Sequence, residues 1–156
     1  MGISNPPYDK LAETCANQSA AFLRVASMLP QLRLELVSTE KLGDGHTRLQ
    51  VRVTNGGYLG THGLSSAKVL THVEPLRMTM ECDGVSVLAP GESVIELGHL
   101  PGWGMGLNHG ISIFMPWTRG NAREKTVSLV VSGQGKLHVR VGSCRVGWQT
   151  LGVVIG

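Results

Sequence analysis

The sequence is poor in charged and aromatic residues and has no long apolar run. Of its 156 residues, 16% are charged, 4% are aromatic and 42% are hydrophobic. Low charge combined with ordinary apolar content excludes a disordered chain. No stretch approaches the roughly 20 apolar residues of a membrane-spanning helix, and the first residues lack the basic-then-apolar pattern of a signal peptide. We therefore expect one globular domain without a membrane partner, with the cytoplasm slightly favoured as its compartment.

Cysteine is scarce and the charges nearly balance. Cys15, Cys82 and Cys144 are widely spaced and form no C-x-x-C pair. This spacing favours free structural thiols over a disulfide framework, although one long-range disulfide remains open.

Fourteen Lys and Arg against eleven Asp and Glu give a net charge of +3. Because the basic residues are scattered along the chain, we expect no nucleic-acid partner.

The first thirty residues carry the pattern of one amphipathic helix. No Gly or Pro interrupts residues 8–29, and Pro30 follows directly. Apolar residues recur there at three- and four-residue spacing: Leu11, Cys15, Phe22, Val25, Ala26 and Leu29. Such spacing predicts a helix with one apolar stripe, which Pro30 ends.

After Pro30 the apolar period changes from about four residues to two, as in half-buried strands. The strand candidates are residues 32–37, 49–53, 76–82, 85–88, 93–97, 111–114, 126–132, 137–141 and 148–155. Between them, Gly43-Asp44-Gly45, Asp83-Gly84, Pro90-Gly91 and Gly133-Gln134-Gly135 are predicted turns. Short strands at this spacing predict an antiparallel β-sandwich, immunoglobulin-like or fibronectin-like, over residues 31–156. Residues 1–30 form a linker and the helix that precede it.

Two glycine-rich segments, residues 59–68 and 101–110, are predicted to be longer loops. Loops carry binding sites more often than the strands that they connect. Their aromatic and histidine residues are therefore weak candidates for a ligand site: Tyr58, His62, His99, Trp103 and His109.

No known catalytic motif is complete in the sequence. The glycines at 102, 104 and 106 do not complete G-x-G-x-x-G, and neither a phosphate-binding G-x-x-x-x-G-K-[ST] nor a G-x-S-x-G nucleophile motif occurs. None of the six histidines begins an H-x-x-E or H-E-x-x-H pair, so we expect most of them to be solvated loop residues. The residues thus predict no catalytic group, no bound cofactor and no metal ligand in this chain.

Read along its whole length, the chain resembles the C-terminal portion of bacterial zinc carboxypeptidases of the M14, carboxypeptidase A-like, superfamily. The resemblance lies mostly in turns and strand ends. The segments that carry it are Asn5-Pro6-Pro7 with the helix, Leu29 to Leu34, Leu42 to Leu59 with its LGDG and NGGYL motifs, Glu96 to Gly102 with its GHL motif, and Val139 to Gly147.

The resemblance implies a non-catalytic β-sandwich that follows a catalytic domain and stabilises it, positions it or mediates assembly. In that superfamily, zinc is held by an H-x-x-E pair and a later His in the catalytic domain, and none of these motifs occurs here. The implied partner is the chain's own catalytic domain, and homo-oligomerisation stays open. We expect residues 1–4 to follow directly on such a domain, and we expect this chain by itself to hydrolyse nothing.

Two alternatives come from other functional classes. One is a free-standing peptide- or carbohydrate-binding module that uses Tyr58, His62, Trp103 and His109. The other is a small metalloenzyme built from His62, His72, His99 and His109.

Overall fold

A computed structural model describes residues 6–106 and 122–156 of the chain. The described residues form one helix, two short 3-10 turns and six strands. The helix is α1 (Tyr8–Ala26), and the strands are β1 (Leu32–Gly43), β2 (His46–Asn55), β3 (Leu76–Ala89), β4 (Val94–Gly98), β5 (Glu124–Ser143) and β6 (Gly147–Ile155). All strand pairs are antiparallel. The prediction of a mainly β, sandwich-like fold preceded by one helix is confirmed, whereas the strand predicted at 111–114 lies outside the described residues.

The sheet is organised around the 20-residue strand β5. The strand order is β1-β2-β5-β3-β4, with β6 also paired to β5. The first half of β5 pairs with β2, from Glu124 to Ser132, and its second half pairs with β6, from Gly135 to Ser143. Strand β3 pairs with the second half of β5, from Lys136 to Gly142, and with the end of its first half, from Val130 to Gly133. Strand β1 also contacts β6, with which it does not pair, so the sheet folds back on itself into two layers.

The predictions of turns at Asp83-Gly84 and at Gly133-Gln134-Gly135 are wrong. Strands β3 and β5 each continue through these glycines, and a bulge between Asp83 and Val85 marks the bend. Gly84 has φ +74°, and a β-carbon there would lie 2.6 Å from the carbonyl oxygen of Gln134. The two glycine segments therefore face each other across the strand pair, where they allow close backbone contact and a change of direction.

The core lies between the two layers. It consists of the alternate, inward-facing residues of the central strands, as the period-two pattern predicts. Its fully buried members are Leu49, Val51, Val53, Leu76, Met78, Leu129, Val131, Leu137, Val139 and Val141. The three cysteines are free, as predicted, and all of them are exposed rather than buried.

Helix α1 contributes nothing to this core. None of its nineteen residues is buried, and Phe22 and Val25 on its apolar stripe are 72% and 60% exposed. The helix ends at Ala26, four residues before the proline that was predicted to end it. Just after the helix, the N–H of Leu59 donates a hydrogen bond to the carbonyl of Met28 (2.9 Å). No helix in the described part of the chain is both long and apolar enough to cross a membrane.

Candidate functional site

The loops that follow β2 and β4 meet at one end of the sandwich. The N–H of Thr61 donates to the carbonyl of Leu100 (2.9 Å), and the N–H of Leu100 donates to the Thr61 hydroxyl (3.0 Å). The N–H of Trp103 donates to the carbonyl of Gly57 (3.1 Å). These reciprocal bonds fix the two loops against each other, and they bring the two predicted ligand-site segments into contact.

Asn55, the last residue of β2, holds this junction together. Its side chain is fully buried. Its Oδ1 accepts hydrogen bonds from the N–H groups of Gln31 and Gly57, both at 3.0 Å. Its Nδ2 donates to the carbonyls of Leu59 (2.9 Å) and Pro101 (3.2 Å). One amide thus satisfies polar backbone groups from the start of β1 and from both loops, which a buried site requires.

Tyr58 and Trp103 form an aromatic pair on the outer side of the junction. Their ring centres are 4.6 Å apart in an edge-to-face arrangement. A β-carbon at Gly104 would lie 2.5 Å from the Tyr58 ring, so this pairing requires glycine there. The pair lines an open groove of about 420 Å³ together with Ser27, Met28, Gln31, Gly56 and Gly57. Trp103 is half exposed there, so its ring can stack on a ligand.

His62 and His99 form a second pair on the inner side. Their ring centres are 5.6 Å apart, with the ring planes at 69°. His62 is fully buried, and within the described residues neither of its ring nitrogens has a hydrogen-bond partner. The buried Nδ1 of the half-buried His99 also has none. The His62 ring lies against Gly60, where a β-carbon would be 2.6 Å from its Cε1.

Burial favours the neutral form of both imidazoles. Burial lowers the pKa of His62 to about 4, and the positive charges of Lys68 and of protonated His99 act in the same direction. Burial and Lys68 also lower the pKa of His99, whereas Glu96 raises it and Arg145 lowers it. A neutral imidazole offers one N–H donor and one lone pair, so this pair can bind a polar ligand or a metal ion.

The structure brings four of the five predicted ligand-site residues together as two neighbouring pairs. The fifth, His109, lies outside the described residues. His72 is exposed in a turn, and the described residues contain no group of three His, Cys, Asp or Glu side chains able to hold a metal ion. The sequence reasoning did not include Asn55 among the candidate ligand-site residues. The signal was an Asn before two glycines, directly after an alternating strand.

The model of a family described as a domain of unknown function, DUF8731, matches residues 31–154. The chain belongs to this family. The DUF8731 match begins one residue before β1, so it covers the sandwich and both loops of the site but leaves α1 outside. No curated protein and no solved structure matches the chain significantly.

Proposed function

We propose that the chain is a non-catalytic accessory domain that attaches through α1 to a catalytic domain of the zinc carboxypeptidase type, which it stabilises or positions. The observation that carries this proposal is the exposed apolar stripe of α1. A helix of this composition gains most of its stability by burying its apolar face, and α1 buries none of its residues within the described part of the chain.

Two further features support a catalytic domain as the occupant of that stripe. The helix lies outside the region that the DUF8731 model matches, as expected of a segment that belongs to a joint between two domains. The charged residues Lys10, Glu13 and Arg24 lie on the opposite face of the helix, so the stripe suits an apolar partner surface. The resemblance described above supplies the identity of that partner.

The first test reads the coding sequence directly upstream of Met1. An in-frame region that encodes an H-x-x-E pair, a later His and a Glu supports the proposal. A stop codon in that region, with no zinc carboxypeptidase that binds the chain in trans, overturns it.

A second test uses the longer protein. Phe22→Glu places a carboxylate on the apolar stripe, and we expect it to lower the melting temperature of the catalytic domain. Asn17→Glu adds the same charge to the opposite face and serves as the matched control. Equal effects of the two variants would show that the stripe is not the contact.

The chain alone, incubated with zinc and C-terminal peptide substrates, should show no hydrolysis.

The groove beside Trp103 favours a second candidate, a peptide- or carbohydrate-binding module. It predicts that an oligosaccharide or peptide quenches tryptophan fluorescence, and that Trp103→Phe removes this response. Trp148→Phe is the control, because Trp148 lies on β6 and not in the groove. A response that survives Trp103→Phe excludes this groove as the binding site.

A further inference from the structure

We propose that His62 and His99 bind one divalent transition-metal ion, Zn²⁺ or Cu²⁺, with water completing the coordination shell. This site is separate from α1 and does not depend on the accessory function proposed above. The argument begins with the His62 side chain, which is fully buried while neither ring nitrogen has a hydrogen-bond partner in the described part of the chain.

Such an arrangement is rare because a buried polar group without a partner costs free energy. Seven residues earlier in the same segment, the buried Asn55 satisfies both its carbonyl and its amide group. The junction can therefore supply partners where a side chain has only a structural role. The His62 ring, with both nitrogens unpaired, lies 5.6 Å centre to centre from the His99 ring, whose buried Nδ1 is also unpaired, and a shared ligand would satisfy both rings.

The spacing of the two rings fits a shared metal ion. A zinc–nitrogen bond of about 2.0–2.1 Å with the ring centre about 1.1 Å beyond places two ring centres about 5.2 Å apart at a tetrahedral angle. The observed separation is 5.6 Å, with the ring planes well away from parallel at 69°. His99 is only half buried, so its ring can adjust and an ion can enter from its side.

The protonation state also suits a metal. A ligating imidazole must be neutral, and burial keeps His62 in that form. Imidazole is a preferred ligand of zinc and copper. Among the charged groups near the pair, Glu96 attracts a cation, whereas Lys68 and Arg145 repel one. Removing one of the repelling charges should therefore strengthen the binding of a metal ion, whereas it should weaken the binding of an anion.

The experiment is calorimetric titration of the untagged full chain with Zn²⁺ or Cu²⁺ near pH 7. We expect one ion per chain. His62→Gln and His99→Gln should each weaken binding by at least about tenfold, since even the loss of an outer partner of a ligand costs that much. His138→Gln is the matched control, because His138 is exposed on the outer face of β5, and it should bind like the wild type.

A further variant, Lys68→Gln, removes a repelling charge and should tighten metal binding. Far-ultraviolet circular dichroism establishes whether each variant is folded. If His62→Gln does not fold, the test rests on His99→Gln, because His99 is half exposed. No binding by the wild type, or equal weakening by His138→Gln, overturns the proposal. Binding of inorganic phosphate instead, weakened by Lys68→Gln, would show that the pair serves an anion.

Discussion

Asn55 and His62 lie in the same loop junction and are both fully buried, yet they differ in every polar contact. The Asn55 side chain makes five hydrogen bonds to backbone groups, and the ring nitrogens of His62 make none within the described residues. The difference separates two uses of a buried polar group. A satisfied group fixes the fold, whereas an unsatisfied one lowers stability and keeps its bonding capacity for a ligand.

The largest expected effect on stability comes from removing the hydrogen bonds of Asn55. Asn55→Leu keeps the size of the side chain but leaves the N–H groups of Gln31 and Gly57 and two carbonyls without partners. We expect a loss of about 3–5 kcal/mol in the free energy of unfolding, since each buried unpaired group costs about 1–3 kcal/mol. Urea denaturation measures it. A loss below about 1 kcal/mol would contradict the role given to Asn55.

Low pH should reduce the stability of the folded chain through the unpaired His62. The folded-state pKa of His62, about 4, lies below its usual value of 6.5. Between these two pH values the unfolded chain therefore binds a proton that the folded chain does not. The stability linked to His62 is complete above pH 6.5 and falls as the pH drops toward 4, by up to about 3 kcal/mol.

Urea denaturation across this pH range, with a chelator present, measures the effect. His62→Phe provides the reference, because this variant lacks the titrating group but retains every other one. If the wild type and the variant lose stability in parallel, His62 is not the group responsible.

A smaller effect tests whether Gly60 holds the His62 ring in place. Gly60→Ala would bring a β-carbon to 2.6 Å from Cε1 of His62, so the ring must move. We expect the pKa of His62 to rise toward 6.5 and the stability to fall by about 1–2 kcal/mol. Proton nuclear magnetic resonance titration of the imidazole follows the pKa. Gly91→Ala is the control, because a β-carbon at Gly91 meets no neighbouring atom.

The smallest effect on stability is expected at His62, because the comparison with Asn55 gives this residue no structural role. His62→Phe replaces an unpaired polar ring by an apolar ring of similar shape, and its stability near pH 7 should stay within about 1 kcal/mol of the wild type without metal. Added zinc should then raise the melting temperature of the wild type only. A loss as large as that of Asn55→Leu would show that His62 has unrecognised structural contacts.

Sequence reasoning reached the fold through local patterns. The alternation of Leu49, Val51 and Val53 predicts the inward face of β2, and the apolar spacing before Pro30 predicts the helix, which ends four residues before that proline. The same reasoning failed at Gly84 and Gly133, because glycines mark both a turn that ends a strand and a bend within a continuing strand. What distinguishes them is the glycine segment on the neighbouring strand, and that pairing is not local in the sequence.

The candidate site shows the same limit. Tyr58 and Trp103 could be named as loop aromatics, but their pairing depends on the register between two loops. The burial of His62 depends on that register as well, and on the absence of a side chain at Gly60. Asn55 was overlooked because its five partners come from three separate segments.

The shared strands have a consequence for how the domain comes apart. Because β3 and β5 run through both layers, no layer can detach without breaking hydrogen bonds along strands that the other layer needs. The sandwich should therefore open as one cooperative unit, with its slowest amide hydrogen exchange distributed over both halves of β5. Helix α1, which buries no residue, should exchange much earlier, so the chain joins a rigid body to a helix that can reorganise independently.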